Sequence, residues 1–133
     1  MKSILIATSG IVAMILSSAT FAGPREDLLA QYAAAAKTTG FSAARGQTMH
    51  TQNFSGGKPD TPSCITCHGK DTRGAGSTRT GKAIEPVALS VTPTRYTDPA
   101  KVEKWFKRNC TEVLGRECTP QEKGDWLTFV IGQ

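Results

Sequence analysis

The chain has 133 residues, and 16 Lys and Arg against 11 Asp and Glu give it a formal charge of +5 at pH 7. That length supports one domain with one modest core. The positive charge is too small and too dispersed for a nucleic-acid binder, and it suits an acidic protein partner better.

Lys2 is followed by an uncharged apolar run, Ile4 to Leu16, and then by small residues from Ser17 to Ala22. This is the three-part pattern of a secretory signal peptide. The expected cut follows Ala22, which puts Thr20 and Ala22 at the small-residue positions; a cut after Ala19 is the second choice. The run is shorter than the roughly 20 residues that cross a bilayer. No cysteine lies near the cut, which speaks against a lipid anchor. The expected organisation is therefore a signal peptide over 1–22 and one mature domain over 23–133. With residues 1–22 removed, and Lys2 with them, the chain keeps 111 residues and a charge of +4. It is expected to be soluble and periplasmic.

Pro24, Glu26 and Asp27 suit a first helical turn, and the spacing predicts a helix to about Lys37 with Leu28, Leu29 and Tyr32 on its apolar side and Gly40 ending it. Ser42 can cap a second helix to about Gln52, although Gly46 inside it costs about 1 kcal/mol relative to alanine. Residues 53–63 read as a loop. Residues 70–95, with five Gly or Pro, read as a longer one. So much irregular chain in a compact domain points to function or to something wrapped. Asp98 and Pro99 open a third helix to about Asn109. Thr119, Pro120 and Glu122 form a capping box that opens the last, whose apolar side is Trp126, Leu127, Phe129 and Val130. No strand with period-two alternation is evident.

Cys64-Ile65-Thr66-Cys67-His68 is a Cys-x-x-Cys-His motif. Two thiols three positions apart can each form a thioether with one former vinyl group of a haem, and the next residue supplies an imidazole to the iron. In an exported chain this pattern is specific for haem c. A redox Cys-x-x-Cys pair needs a strand-to-helix setting, whereas this motif follows a Gly/Pro-rich loop. A four-cysteine zinc site takes close pairs, and seven residues separate Cys110 from Cys118.

Beyond His68 the chain has no Met and no His. The sixth iron position is then open, filled by an unusual group, or reached by Met49 or His50 from before the motif. Met49 reads equally as core filling, and His50 as a helix-end residue near the surface. Val102, Trp105, Phe106 and Asn109 recur at helical spacing, so the three apolar ones should face the core with Asn109 beside them. Asn109 is either an iron ligand or a helix C-cap, and spacing alone does not choose. Cys110 and Cys118 remain for each other. Their bridge would close a loop of about nine residues, worth roughly 2.5 kcal/mol in the chain-entropy model, either as a staple or as a redox-active pair.

Four blocks carry a wider resemblance: Cys64 to Asp71, Arg79 to Pro86, Lys101 to Cys110 and Val113 to Thr119. Together they strongly resemble the sphaeroides haem protein (SHP) family, oxygen-binding class I cytochromes c, over about 41–127. The resemblance implies an all-α, class I cytochrome c-like fold, about four helices and long loops wrapped around one covalent haem c. It implies His68 and Asn109 as axial ligands of the ferric iron and a Cys110–Cys118 disulfide beside the second. It implies a dihaem cytochrome c or membrane cytochrome b as electron donor, and small diatomic ligands.

By the preference of oxygen donors for harder ions, Asn109 is expected to hold Fe(III) and release Fe(II), opening a site for O₂, CO or NO. Pro86 is the expected carbonyl partner of His68. Arg73, Arg79, Lys82 and Arg95 are candidates for the haem propionates. No distal acid–base pair is evident, so no catalytic residue is assigned, and reduction of O₂, peroxide or NO stays open beside plain electron transfer and gas or redox sensing.

Overall fold

The computed structural model describes residues 22–133, so the segment expected as a signal peptide lies outside the described residues except for Ala22. Five helices and one minimal ladder are described. Helix α1 spans Pro24–Ala36, with Pro24 in its first turn and Glu26 and Asp27 facing the helix dipole. It ends at Lys37 in a left-handed conformation (φ 53°), three residues before Gly40. Helix α2 spans Ala43–Thr51, and the Ser42 side chain accepts from the Arg45 N–H as its cap. Helix α3 is the short turn Ile65–His68. Strands β1 (Gly76–Ser77) and β2 (Ala83–Ile84) pair antiparallel, Gly76 opposite Ile84.

Helix α4 spans Pro99–Leu114, capped by the Asp98 side chain and closed by Gly115 at φ 74°. It is longer than the sequence pattern suggested. Its buried residues, Val102, Phe106, Cys110, Val113 and Leu114, keep one apolar stripe running past Asn109. Helix α5 spans Pro120–Ile131 and starts with the expected capping box, Thr119 and Glu122 exchanging hydrogen bonds.

Helix α5 is the hub of the core. Leu127 and Val130 are fully buried, and Leu28, Tyr32, Met49, Val102 and Phe106 join the same cluster. Full burial of a side chain such as Leu127 is worth about 1.5–3 kcal/mol. Helix α2 crosses α5 in intimate contact, which explains Gly46. A Cβ there would lie 2.1 Å from the Asp125 carbonyl oxygen and 2.8 Å from Phe129 Cβ. Glycine's propensity cost therefore secures the closest helix contact in the fold. Asp125 locks the same crossing. Its carboxylate accepts from the Ser42 N–H at 2.7 Å, from Arg45 Nε at 2.7 Å and from Gln121 Nε2 at 3.0 Å. On the far side, Tyr32 of α1 donates to Glu103 of α4, which also pairs with Lys123 of α5 at 2.7 Å.

The 53–63 loop runs over the end of α4. The Lys58 N–H donates to the Glu112 carbonyl at 2.8 Å. Gly57 lets the two backbones touch, since a Cβ would lie 2.2 Å from the Glu112 carbonyl oxygen.

Candidate functional site

The attachment motif folds as one turn. The His68 N–H donates to the Cys64 carbonyl and the Gly69 N–H to the Ile65 carbonyl, both at 3.0 Å. Positions three apart on a helical turn share a side, so Cys64 and Cys67 come together with His68 next to them. Both thiols are unpaired. Burial pushes the Cys64 thiol up to about 11. Burial also raises Cys67, with the Glu112 charge adding to it and that of Arg79 opposing. Thiols held neutral are the reverse of the activated thiolate in a redox pair.

Cys110 and Cys118 form a disulfide, their Cα atoms 5.5 Å apart. Their sulfurs are spent on each other, so a four-cysteine metal set is not available.

Burial pushes the His68 imidazole down to about 4, and the charges of His50 and Arg95 act in the same direction. It is neutral at neutral pH, the form that ligates a metal.

His50 differs from its sequence reading. It ends α2, but it is fully buried rather than near the surface. Its Nε2 lies 3.0 Å from the Gly69 carbonyl oxygen, and its Nδ1 lies 3.2 Å from Trp126 Nε1. A carbonyl only accepts and an indole N–H only donates. The proton therefore sits on Nε2, and the Nδ1 lone pair is taken. Neither nitrogen is left for iron. Met49 is buried in the core cluster, as its apolar character suggested.

Asn109 lies within α4, five residues before Leu114, so it is not the helix C-cap; Gly115 is. Its side chain is exposed. Trp105, expected in the core, is 43% exposed. The buried arc of α4 centres on Val102, Phe106 and Cys110, which leaves Trp105 and Asn109 together at its margin. Nor does Pro86 serve His68. Its carbonyl accepts from Arg95 Nε at 2.6 Å and from Thr92 Oγ1 at 3.0 Å, which occupies both lone pairs. Among the propionate candidates, Arg79 pairs with Asp60 at 2.5 Å, and Arg95 also donates to the Glu85 carbonyl at 2.6 Å. Arg73 and Lys82 are exposed.

The donor chemistry fits a covalently held haem. Two neutral, unpaired thiols stand three positions apart with a neutral imidazole beside them, and Cys67 and His68 each keep part of their surface uncovered.

A domain of unknown function (DUF1924) matches residues 36–130. Over 126 residues the chain is 50% identical to the cytochrome c-type protein SHP of Cereibacter sphaeroides, spanning 90% of this chain and 97% of that one. The chain belongs to the SHP family of c-type cytochromes. The solved structure of oxidized SHP, described as an oxygen binding cytochrome c, matches with a TM-score of 0.79 at 53% identity, covering 82% of this chain and 96% of that one. Oxidized cytochrome c'' of Methylophilus methylotrophus matches with a TM-score of 0.70 at 28% identity, covering 83% of this chain and 94% of that one. A solution structure of the same cytochrome c'', described as giving insights into haem-ligand detachment, matches with a TM-score of 0.68 at 28% identity, covering 82% of this chain and 93% of that one. The mostly helical SHP-type fold is therefore the one the resemblance implied, and the Cys64 and Cys67 pair is consistent with covalent haem c.

Proposed function

We propose that this chain is an exported monohaem cytochrome c that accepts electrons from a redox partner and binds O₂, NO or CO at its reduced haem. The observation that carries the reading is the Cys64–His68 turn, with both thiols unpaired and neutral, in a chain half identical to a protein whose structure is described as oxygen binding. Once bound, the haem supplies the electron-accepting iron and the coordination site for small ligands.

Cys64 and Cys67 hold the haem through thioethers, and His68 ligates the iron on one side. Asn109 ligates on the other while the iron is ferric. Its amide oxygen is a hard donor and prefers the harder oxidation state, so Asn109 lets go on reduction. The freed amide is then a hydrogen-bond donor beside the open position. The haem-ligand detachment described for the related cytochrome c'' supports a ligand that can let go. The position of Asn109 within α4, beside the disulfide of Cys110, supports a ligand held on a rigid element. Signal-peptide removal after Ala22 delivers the domain to the periplasm, where the disulfide persists. A dihaem cytochrome c or a membrane cytochrome b is the electron donor.

The deciding experiment is an optical spectrum of the haem-loaded protein, oxidised and then reduced, with and without CO. The expected result is a high-spin ferrous form that binds CO at once. A low-spin ferrous form indifferent to CO would instead make the protein a plain electron carrier.

A further inference from the structure

We infer that His50 is a positioning residue for His68, clasping the attachment turn at both ends and tying it through α5 to the helix that carries Asn109. The inference rests on the haem reading above. At the front of the turn, the His50 carbonyl accepts from Ser63 Oγ at 3.2 Å, one residue ahead of Cys64. Ser63 Oγ in turn accepts from the Ile65 N–H at 3.4 Å. At the back, His50 Nε2–H donates to the carbonyl of Gly69, one residue after His68. The Gly69 N–H is already bonded to the Ile65 carbonyl, so Gly69 is held through both its N–H and its carbonyl. One residue thus fixes the backbone before Cys64 and after His68.

The clasp is itself anchored. Trp126 Nε1–H donates to His50 Nδ1. The Trp126 ring stands edge-on to Phe106, with centroids 5.6 Å apart and planes at 80°. Phe106 lies one turn before Asn109 and Cys110 on α4. A contiguous path of Gly69, His50, Trp126 and Phe106 therefore joins the two segments that carry the proposed axial ligands. The His50 and His68 rings lie 6.4 Å apart, too far for direct contact between their nitrogens to explain the arrangement. A histidine present only to fill the core would not need both nitrogens and its carbonyl committed to this segment and its brace.

The test uses the haem-loaded protein and three variants. His50→Leu removes both ring bonds, His50→Gln keeps an amide N–H donor, and Trp126→Phe removes only the brace. The readouts are the iron–histidine stretching band of the ferrous form, the reduction potential and the thermal midpoint. The band and the potential are expected to shift in H50L, to shift in the same direction but less in W126F, and to stay near the parent in H50Q. Parent-like band and potential in H50L and W126F, with only the midpoint lowered, would reduce His50 to packing and overturn the inference. If H50L does not fold, W126F and H50Q decide on the same criteria. The parent is measured first, and a high-spin five-coordinate ferrous form that lacks the iron–histidine band would overturn the His68 reading itself, a failure distinct from that of the clasp.

Discussion

Cys110 is bonded to Cys118 across the turn that ends α4, and both residues are 95% buried. The bridge joins α4 to the residue just before the Thr119 cap of α5. Burial keeps the sulfurs from solvent reductants, which suits a staple. Replacing both cysteines with alanine is expected to cost about 2.5 kcal/mol, from the chain-entropy model. Denaturant titration of parent and variant checks this. A mild reductant applied to the folded parent is expected to leave the bond intact, as thiol labelling would read out.

Replacing Asn109 tests ligand release directly. Methionine is a softer donor that holds ferrous iron. Asn109→Met is expected to slow CO binding to the reduced protein by about tenfold or more, the effect of about 1.4 kcal/mol of added ligand retention. Flash photolysis or stopped-flow mixing with CO measures it. CO binding as fast as in the parent would sink the Asn109 assignment.

The two free thiols have separable consequences. Cys64→Ala or Cys67→Ala alone is expected to leave one thioether, so haem should still migrate with the denatured chain on a gel. The double variant is expected to lose all haem there. Peroxidase-type haem staining reads both outcomes.

Gly46→Ala is predicted to damage the α2–α5 crossing. Alanine normally favours a helix over glycine, yet its Cβ would lie 2.1 Å from a backbone oxygen that cannot move aside. Overpacking of this kind costs about 1–3 kcal/mol, so the variant should melt lower despite its better propensity.

Asp125 predicts an acid limit to stability. Burial raises its carboxyl, but hydrogen bonds from Arg45, the Ser42 N–H and Gln121, together with the Arg45 charge, outweigh burial and hold it below the ordinary range. A depressed carboxyl stabilises the fold fully above its unfolded value of about 3.9, and that stability is lost as pH falls through the folded value. Asp125→Asn is expected to cost about 2 kcal/mol at pH 7, the scale of hydrogen bonds to a charged group. It should also flatten the acid limb of a urea-midpoint profile.

Local signals carried much of this molecule. Proline, acidic first turns and capping side chains placed the starts of α1, α2, α4 and α5 within a residue of where they lie. Cys64, Cys67 and His68 stood out because their chemistry requires fixed spacing. The end of α4 was missed because Asn109, Thr111 and Glu112 break the pattern before the stripe resumes at Val113 and Leu114. The burial of His50 left no local trace, since its decisive partner, Trp126, is 76 residues away. Pro86 failed for the same reason: Arg95 competes for its carbonyl, and a spacing argument does not see the competitor. Asp125 carries no local signal, because its partners Ser42 and Arg45 lie 83 and 80 residues away.

Helix α5 is the last element of the chain, yet α1 and α2 both rest on it, and it supplies the fully buried Leu127 and Val130. A chain made from its first residue onward thus delivers this keystone of its core late. Until α5 arrives, Trp126 is not there to brace His50, and the Cys64–His68 segment has no finished wall behind it. Between emergence of residue 68 and docking of residue 130, both thiols of the turn are present but not yet enclosed. Truncating α5 should therefore leave attachment possible while abolishing the compact product.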